Sequence, residues 1–205
     1  MRLVPAVLFV ATLATGCKLE KLPAAGPFSD DFNRDTLGAE WSATGGNWRI
    51  ADGEVVIDHG YNHPLWLKRP IPDDAVIELD AWSNDDVGDL KVEAWGDGRS
   101  YAQTVSYAAT SYLFVFGGWH NQISVIARMD EHGSDRRPRT DLRVVKGKKY
   151  HWRIARKGGH IDWQVDGKPF LTFDDPSPLH GAEHRYFGFN DWEAELHFDN
   201  LKISN

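Results

Sequence analysis

Apolar and polar residues alternate with a period of two along most of this chain, and no stretch sustains a helical spacing. Side chains on a strand point to opposite faces in turn, so the pattern selects half-buried strands. Val76 to Ser83, Leu90 to Gly96, Tyr101 to Ala108, Tyr112 to Gly117 and Gln122 to Met129 read this way. So do Lys149 to Arg156, His160 to Val165, Phe170 to Phe173, Tyr186 to Phe189 and Glu195 to Ile203. Asp52-Gly53, Asp97-Gly98, Gly117-Gly118, Gly158-Gly159 and Asp166-Gly167 supply turns, because glycine accepts the positive φ of a tight hairpin. About a dozen short strands in one domain predict an all-β fold, a two-sheet antiparallel sandwich of jelly-roll type. Asp130 to Asp141 interrupts the pattern as a polar, charged insert and is expected to be a long exposed loop or a loose hairpin end.

The first residues follow a different logic. Arg2 precedes an apolar run from Leu3 to Ala14 that is too short for the ~20 residues a membrane helix needs, and it reads as a cleaved signal peptide. Leu13-Ala14-Thr15-Gly16-Cys17 resembles the lipobox of bacterial lipoproteins. That resemblance implies cleavage after residue 16 and a lipid on the Cys17 thiol. Cys17 is the one cysteine of the chain, so it serves no internal disulfide. Lys18 follows it where aspartate would favour the inner membrane, and the resemblance therefore implies the outer membrane. Residues 17–27, with prolines and a glycine, read as a tether, and 28–205 as a single sandwich domain anchored to the bilayer.

The net charge of −7 argues against nucleic acid as a partner, since that requires a basic footprint. Nine tryptophans are the compositional outlier, useful either in a core or as flat platforms for sugar rings.

The two ends of the domain carry a second resemblance. Asp30-Asp31-Phe32, Leu37-Gly38, Trp41, Gly46-Asn47-Trp48 and Asp52-Gly53-Glu54-Val55 resemble the opening of concanavalin A-like (laminin G-like) jelly rolls. Phe187-Gly188-Phe189 and Phe198-Asp199-Asn200-Leu201-Lys202-Ile203 resemble their closing strands, and domains of the 3-keto-disaccharide hydrolase type have similar ends. The likeness implies that the first and last strands pair. It also implies a structural calcium held by Asp31 and Asp199, with a strand-capping role for Asp199 as the alternative. No other cofactor is implied.

Alternation also sorts the candidate binding residues. In Val76 to Ser83 the polar set is Glu78, Asp80 and Trp82, and in Leu90 to Gly96 it is Lys91, Glu93 and Trp95. Placed as neighbours in one sheet, these would form a single tryptophan-and-carboxylate surface suited to a polysaccharide or cell-surface glycan. Trp119 with His120-Asn121, and Asn190-Asp191-Trp192, repeat the tryptophan-and-amide chemistry at strand ends. Glu78-Leu79-Asp80 resembles the catalytic strand of laminarinase-like glycoside hydrolases, but the second glutamate of that motif would fall at Trp82 or Ser83. The expected function is thus a carbohydrate-binding or adhesion module with no catalytic residues assigned. The alternatives are a glycan-active hydrolase or lyase and a protein-interaction module of the envelope.

Overall fold

The computed structural model describes residues 24–104 and 107–205. Cys17, the signal peptide and most of the tether lie outside the described residues. Fifteen strands form among the described residues. The first seven are β1 (Phe28–Asp30), β2 (Trp41–Ala43), β3 (Arg49–Ala51), β4 (Glu54–Asp58), β5 (Leu65–Leu67), β6 (Ala75–Ser83) and β7 (Leu90–Gly96). They are followed by β8 (Tyr112–Gly117), β9 (Ile123–Arg128), β10 (Arg137–Arg139) and β11 (Tyr150–Lys157). The chain closes with β12 (His160–Val165), β13 (Lys168–Asp174), β14 (Tyr186–Asn190) and β15 (Glu195–Ser204).

One sheet runs β13-β12-β11-β6-β15-β4-β3, with β1 added beside β15, and the other runs β10-β9-β8-β7-β14-β5-β2. Every pairing is antiparallel, as expected for an all-β sandwich. The expected pairing of first and last strands is present, with Phe28 opposite Ile203 and Asp30 opposite Leu201. The Asp166-Gly167 hairpin takes φ of 52° and 70°, the two left-handed residues that a tight turn demands.

Between the sheets lies one large aromatic core. Trp152 and Trp163 meet at 4.6 Å, and Phe189 stacks on Phe198 at 4.5 Å across the two sheets. The outer face of the second sheet carries a smaller apolar cluster, Ala109, Leu113, Val115, Val125 and Ala127, under the flanks of Tyr107, Trp119 and Ile123. Loops lie over this outer face, which makes it the place where a pocket can form.

Three expectations are corrected here. First, the described part of Tyr101 to Ala108 is not a strand but loop over the second sheet. Its ties run sideways: Ala102 N–H donates to the Asn62 carbonyl and the Tyr107 hydroxyl donates to Glu93. Second, β6 and β7 are not neighbours. The chain passes from one sheet to the other between them, although consecutive strands pair about two-thirds of the time. Third, Asp130 to Asp141 forms the expected hairpin end, with β10 antiparallel to β9, but it is not wholly solvated, because its Glu131 is drawn into a buried charge cluster.

Candidate functional site

The eight candidate binding residues occupy three different places. Glu78, Asp80 and Trp82 do share the outer face of the first sheet, with Ile77, Leu79 and Ala81 buried behind them. That face is closed on itself. His197 stacks on Trp82 at 5.1 Å and the Lys149 ammonium sits 4.0 Å from its ring centroid, leaving the indole 7% exposed. His151 Nδ1 lies 2.9 Å from Asp80, and Asn200 donates to the other Asp80 oxygen.

Trp95 is in the core, fully buried. The reason is a β-bulge: Tyr186 pairs with Gly96 and Phe187 with Ala94, so Trp95 has no partner and takes a φ of 58°. The extra residue reverses the alternation and turns the indole inward. There its Nε1–H donates to the Pro72 carbonyl at 2.9 Å, and the Arg156 guanidinium lies over its face at 4.9 Å.

The remaining four residues, Glu93, Trp119, Asn190 and Trp192, converge on the outer face of the second sheet. A pocket of about 640 Å³ opens there, lined by Trp119, Trp192, Tyr107, Asp89, Lys91 and Glu131 among others. Its size falls within the ~300–1,000 Å³ of ordinary ligand sites. Glu93 and Asn190 lie beneath it, both fully buried. Glu93 accepts hydrogen bonds from the Tyr107 hydroxyl, the Ser111 hydroxyl and the Asn190 amide.

Lys91 is the centre of the floor, although its side chain is only 2% exposed. Its Nζ lies 3.1 Å from Glu131, 3.1 Å from the Asn62 side-chain oxygen and 3.9 Å from Asp89. Burial alone would lower its pKa, but Asp89 and Glu131 outweigh that and hold the ammonium charged. Burial pushes the Asp89 carboxyl up to about 6 against the pull of Lys91. It pushes Glu93 and Asp191 up to about 7 each. Burial likewise raises the Tyr107 phenol, helped by the neighbouring Glu93. Asp89 and Asp191 also fasten the loops: Asp89 accepts from Trp192 N–H, and Asp191 from Gly60 N–H and Ala194 N–H.

The rim is conformationally costly. Asn62, Asp89, Trp119 and His120, which line this pocket, all have positive φ, between 53° and 61°. Each costs an L-residue roughly 1–2 kcal/mol. Such residues gather where surrounding structure forces a functional geometry. The Gly118–Asn121 segment is a single left-handed turn that projects Trp119 over the pocket, with Arg136 behind its ring at 5.0 Å.

These buried acids set a pH dependence. A carboxyl whose folded pKa lies above its unfolded value near 4 holds its proton more tightly in the folded state. Its contribution is full below about pH 4 and is lost as the pH rises through 6 to 7. The domain is therefore expected to melt at a higher temperature at pH 5 than at pH 8. One pKa unit is about 1.4 kcal/mol, or ~3–6 °C for a domain of this size. Thermal melts across this range check it, and a Tm that rises from pH 5 to pH 8 contradicts it.

The residues at the calcium position suit a cation poorly. Asp199 accepts from Asn200 and lies 3.7 Å from the Lys149 ammonium, while Asp31 accepts from Asn33 N–H. Among the described residues no group of three acidic, histidine or cysteine side chains could hold a metal ion. The nearby Asp30 carboxylate is already engaged, gripped by Arg34 and the Trp41 indole N–H.

Sequence reasoning missed Asn62, Asp89, Tyr107 and Glu131, and it named Lys91 and Asp191 only as neighbours of its candidates. The one available signal was Asp89-Leu90-Lys91-Val92-Glu93, three charges on one side of a strand whose other side is apolar.

No family model matches this sequence, and no curated protein matches it. Solved structures do. A carbohydrate binding module from Bacillus subtilis matches with a TM-score of 0.60 at 16% identity, over 83% of this chain and 98% of that one. A galectin-like fold protein from Bacillus subtilis gives 0.62 at 11% identity, over 89% and 96%. A laminarinase from Flavobacterium gives 0.62 at 10% identity, over 87% and 99%. At such identities the likeness shows the fold alone. The domain is a concanavalin A-like jelly-roll sandwich.

Proposed function

We propose that this protein is an envelope-anchored glycan-binding domain whose sugar site is the pocket between Trp119 and Trp192. The observation that carries this reading is the pocket itself. Two half-buried indoles and Tyr107 line a hollow whose floor is a fixed set of hydrogen-bonding groups. Sugars present C–H faces to aromatic rings and hydroxyls to amides and carboxylates, so both halves of the arrangement have a use. The solved structures of similar fold add support, since their descriptions include a carbohydrate binding module and a laminarinase.

Retention on immobilised polysaccharides, followed by affinity electrophoresis, tests the site. Trp119→Ala and Trp192→Ala are each expected to weaken binding about tenfold, the loss of one stacking contact of roughly 1.4 kcal/mol. Trp82→Ala is expected to leave binding unchanged. Loss of binding in Trp82→Ala with both pocket variants intact overturns the assignment.

The anchor rests on the Cys17 motif and the run before it. A lipoprotein head group carries several acyl chains, enough for stable attachment where one chain is marginal. Cys17→Ser is expected to abolish incorporation of labelled fatty acid and release the protein from the envelope fraction. Undiminished labelling would count against the anchor and leave the glycan site untouched.

A further inference from the structure

Trp192 also walls a second, more open hollow of about 410 Å³. Tyr61, His63, Ala102, Gln103 and Trp192 contribute to its walls, so Trp192 is shared by both hollows. Tyr61 is 45% exposed and Tyr101, stacked on His63 at 5.4 Å, is 41% exposed. Two of the few large apolar side chains left in solvent therefore stand beside this one hollow.

The shelf is built and held. Tyr61 N–H donates to the Trp192 carbonyl and Asn62 N–H to the Asp191 carbonyl, so the two loops are laced together by their backbones. Ala102 N–H donates to the Asn62 carbonyl and ties in the third loop. His59, Tyr61 and Asn62 all take left-handed φ, a costly way to hold the Tyr61 ring against Trp192. The rings of Tyr61 and Trp192 stand at 89° to each other, with centroids 5.3 Å apart.

We propose that the second hollow is a second sugar subsite, and that the ligand is a bent or helical glycan chain running through both hollows around Trp192. This deepens, and rests on, the glycan reading of the main pocket. A sugar stacks with its C–H face parallel to the aromatic plane beneath it. Platforms at right angles therefore require the ring plane to turn by about a right angle between the two bound units. A flat β-1,4-linked ribbon keeps its ring faces nearly parallel and cannot lie on both platforms. A bent β-1,3-linked chain, or one with an equivalent turn, can.

Calorimetric titration with laminari- and cello-oligosaccharides, each as disaccharide and hexasaccharide, tests this. The laminari-hexasaccharide is expected to bind at least about tenfold more tightly than the disaccharide, with a smaller gain in the flat series. Tyr61→Ala should remove the gain with length while leaving disaccharide affinity unchanged, and Tyr61→Phe, which keeps the ring, should retain it. A hexasaccharide no tighter than the disaccharide overturns the second subsite. So does a gain that survives in Tyr61→Ala, or an equal gain in the flat series. A protein that binds neither series also loses this inference, while the main pocket stands or falls by its own polysaccharide test.

Discussion

Lys91→Met is expected to destabilise the folded domain by about 3–5 kcal/mol at pH 8, the scale for breaking one side of a buried ion pair. The Lys91 ammonium is set among Asp89 and Glu131, with the Asn62 oxygen also turned toward it. Methionine fills much of the same volume but leaves these acceptors facing an apolar group. At pH 8 the acids must then either stay charged without a partner or take up protons against the bulk pH. The cost should shrink toward pH 5, because protonation becomes cheap for carboxyls such as Asp89 that are already pushed upward. Urea denaturation of the parent and Lys91→Met at both pH values measures this. A loss below about 1 kcal/mol at pH 8, within the range of surface ion pairs, would mean that Lys91 does not hold the pocket floor together. Because Asp89 also accepts from Trp192 N–H, the same variant should loosen the Trp192 loop and weaken sugar binding.

Trp95→Ala separates stability from binding. Truncating a buried tryptophan costs about 3–5 kcal/mol in lost transfer energy and residual cavity. Here the change also leaves the Pro72 carbonyl without its donor and strips the Arg156 guanidinium of the ring beneath it. Tyr112, edge-on to the indole at 6.1 Å, would line the resulting cavity. At a temperature where the variant is still folded, its affinity for polysaccharide should match the parent protein. Trp95→Phe should recover part of the stability, since the ring returns but the Pro72 hydrogen bond does not. A Trp95→Ala protein that keeps its stability and loses glycan binding would place this indole on a ligand surface instead of in the core.

The contrast between these residues shows where sequence stops being informative. Alternation correctly separates Ile77, Leu79 and Ala81 from Glu78, Asp80 and Trp82, because β6 is regular from end to end. It fails one residue from the end of β7, because a bulge adds a residue and inverts the order at Trp95. Nothing in the local letters marks that bulge; it is visible only as a register shift against β14, which lies almost a hundred residues away in the chain.

The architecture was more legible than the site. Antiparallel pairing, tight Asp-Gly turns and the β1–β15 seam follow from periodicity, turn chemistry and matching ends. Which sheet each strand joins is a long-range property. Placing β6 and β7 in one sheet therefore combined two faces that the fold holds apart. Glu131 shows the same limit from another direction. Its loop is polar and charged, as exposed loops are, yet this carboxylate folds back onto Lys91 some forty residues earlier. Trp119 and Trp192 could be singled out because tryptophan beside an amide at a strand end is unusual. The groups beneath them are ordinary residues, made distinctive only by burial.

The central claim is that sugar binds beside Trp119 and Trp192 and not beside Trp82. The nine indole N–H groups provide nine separate reporters, and NMR spectra recorded during titration with an oligosaccharide from a retained polysaccharide follow all of them at once. The Trp119 and Trp192 signals should move progressively and saturate together, while those of Trp82 and the buried Trp95 stay in place. Movement of the Trp82 signal, with Trp119 and Trp192 unchanged, would contradict the assignment of this pocket.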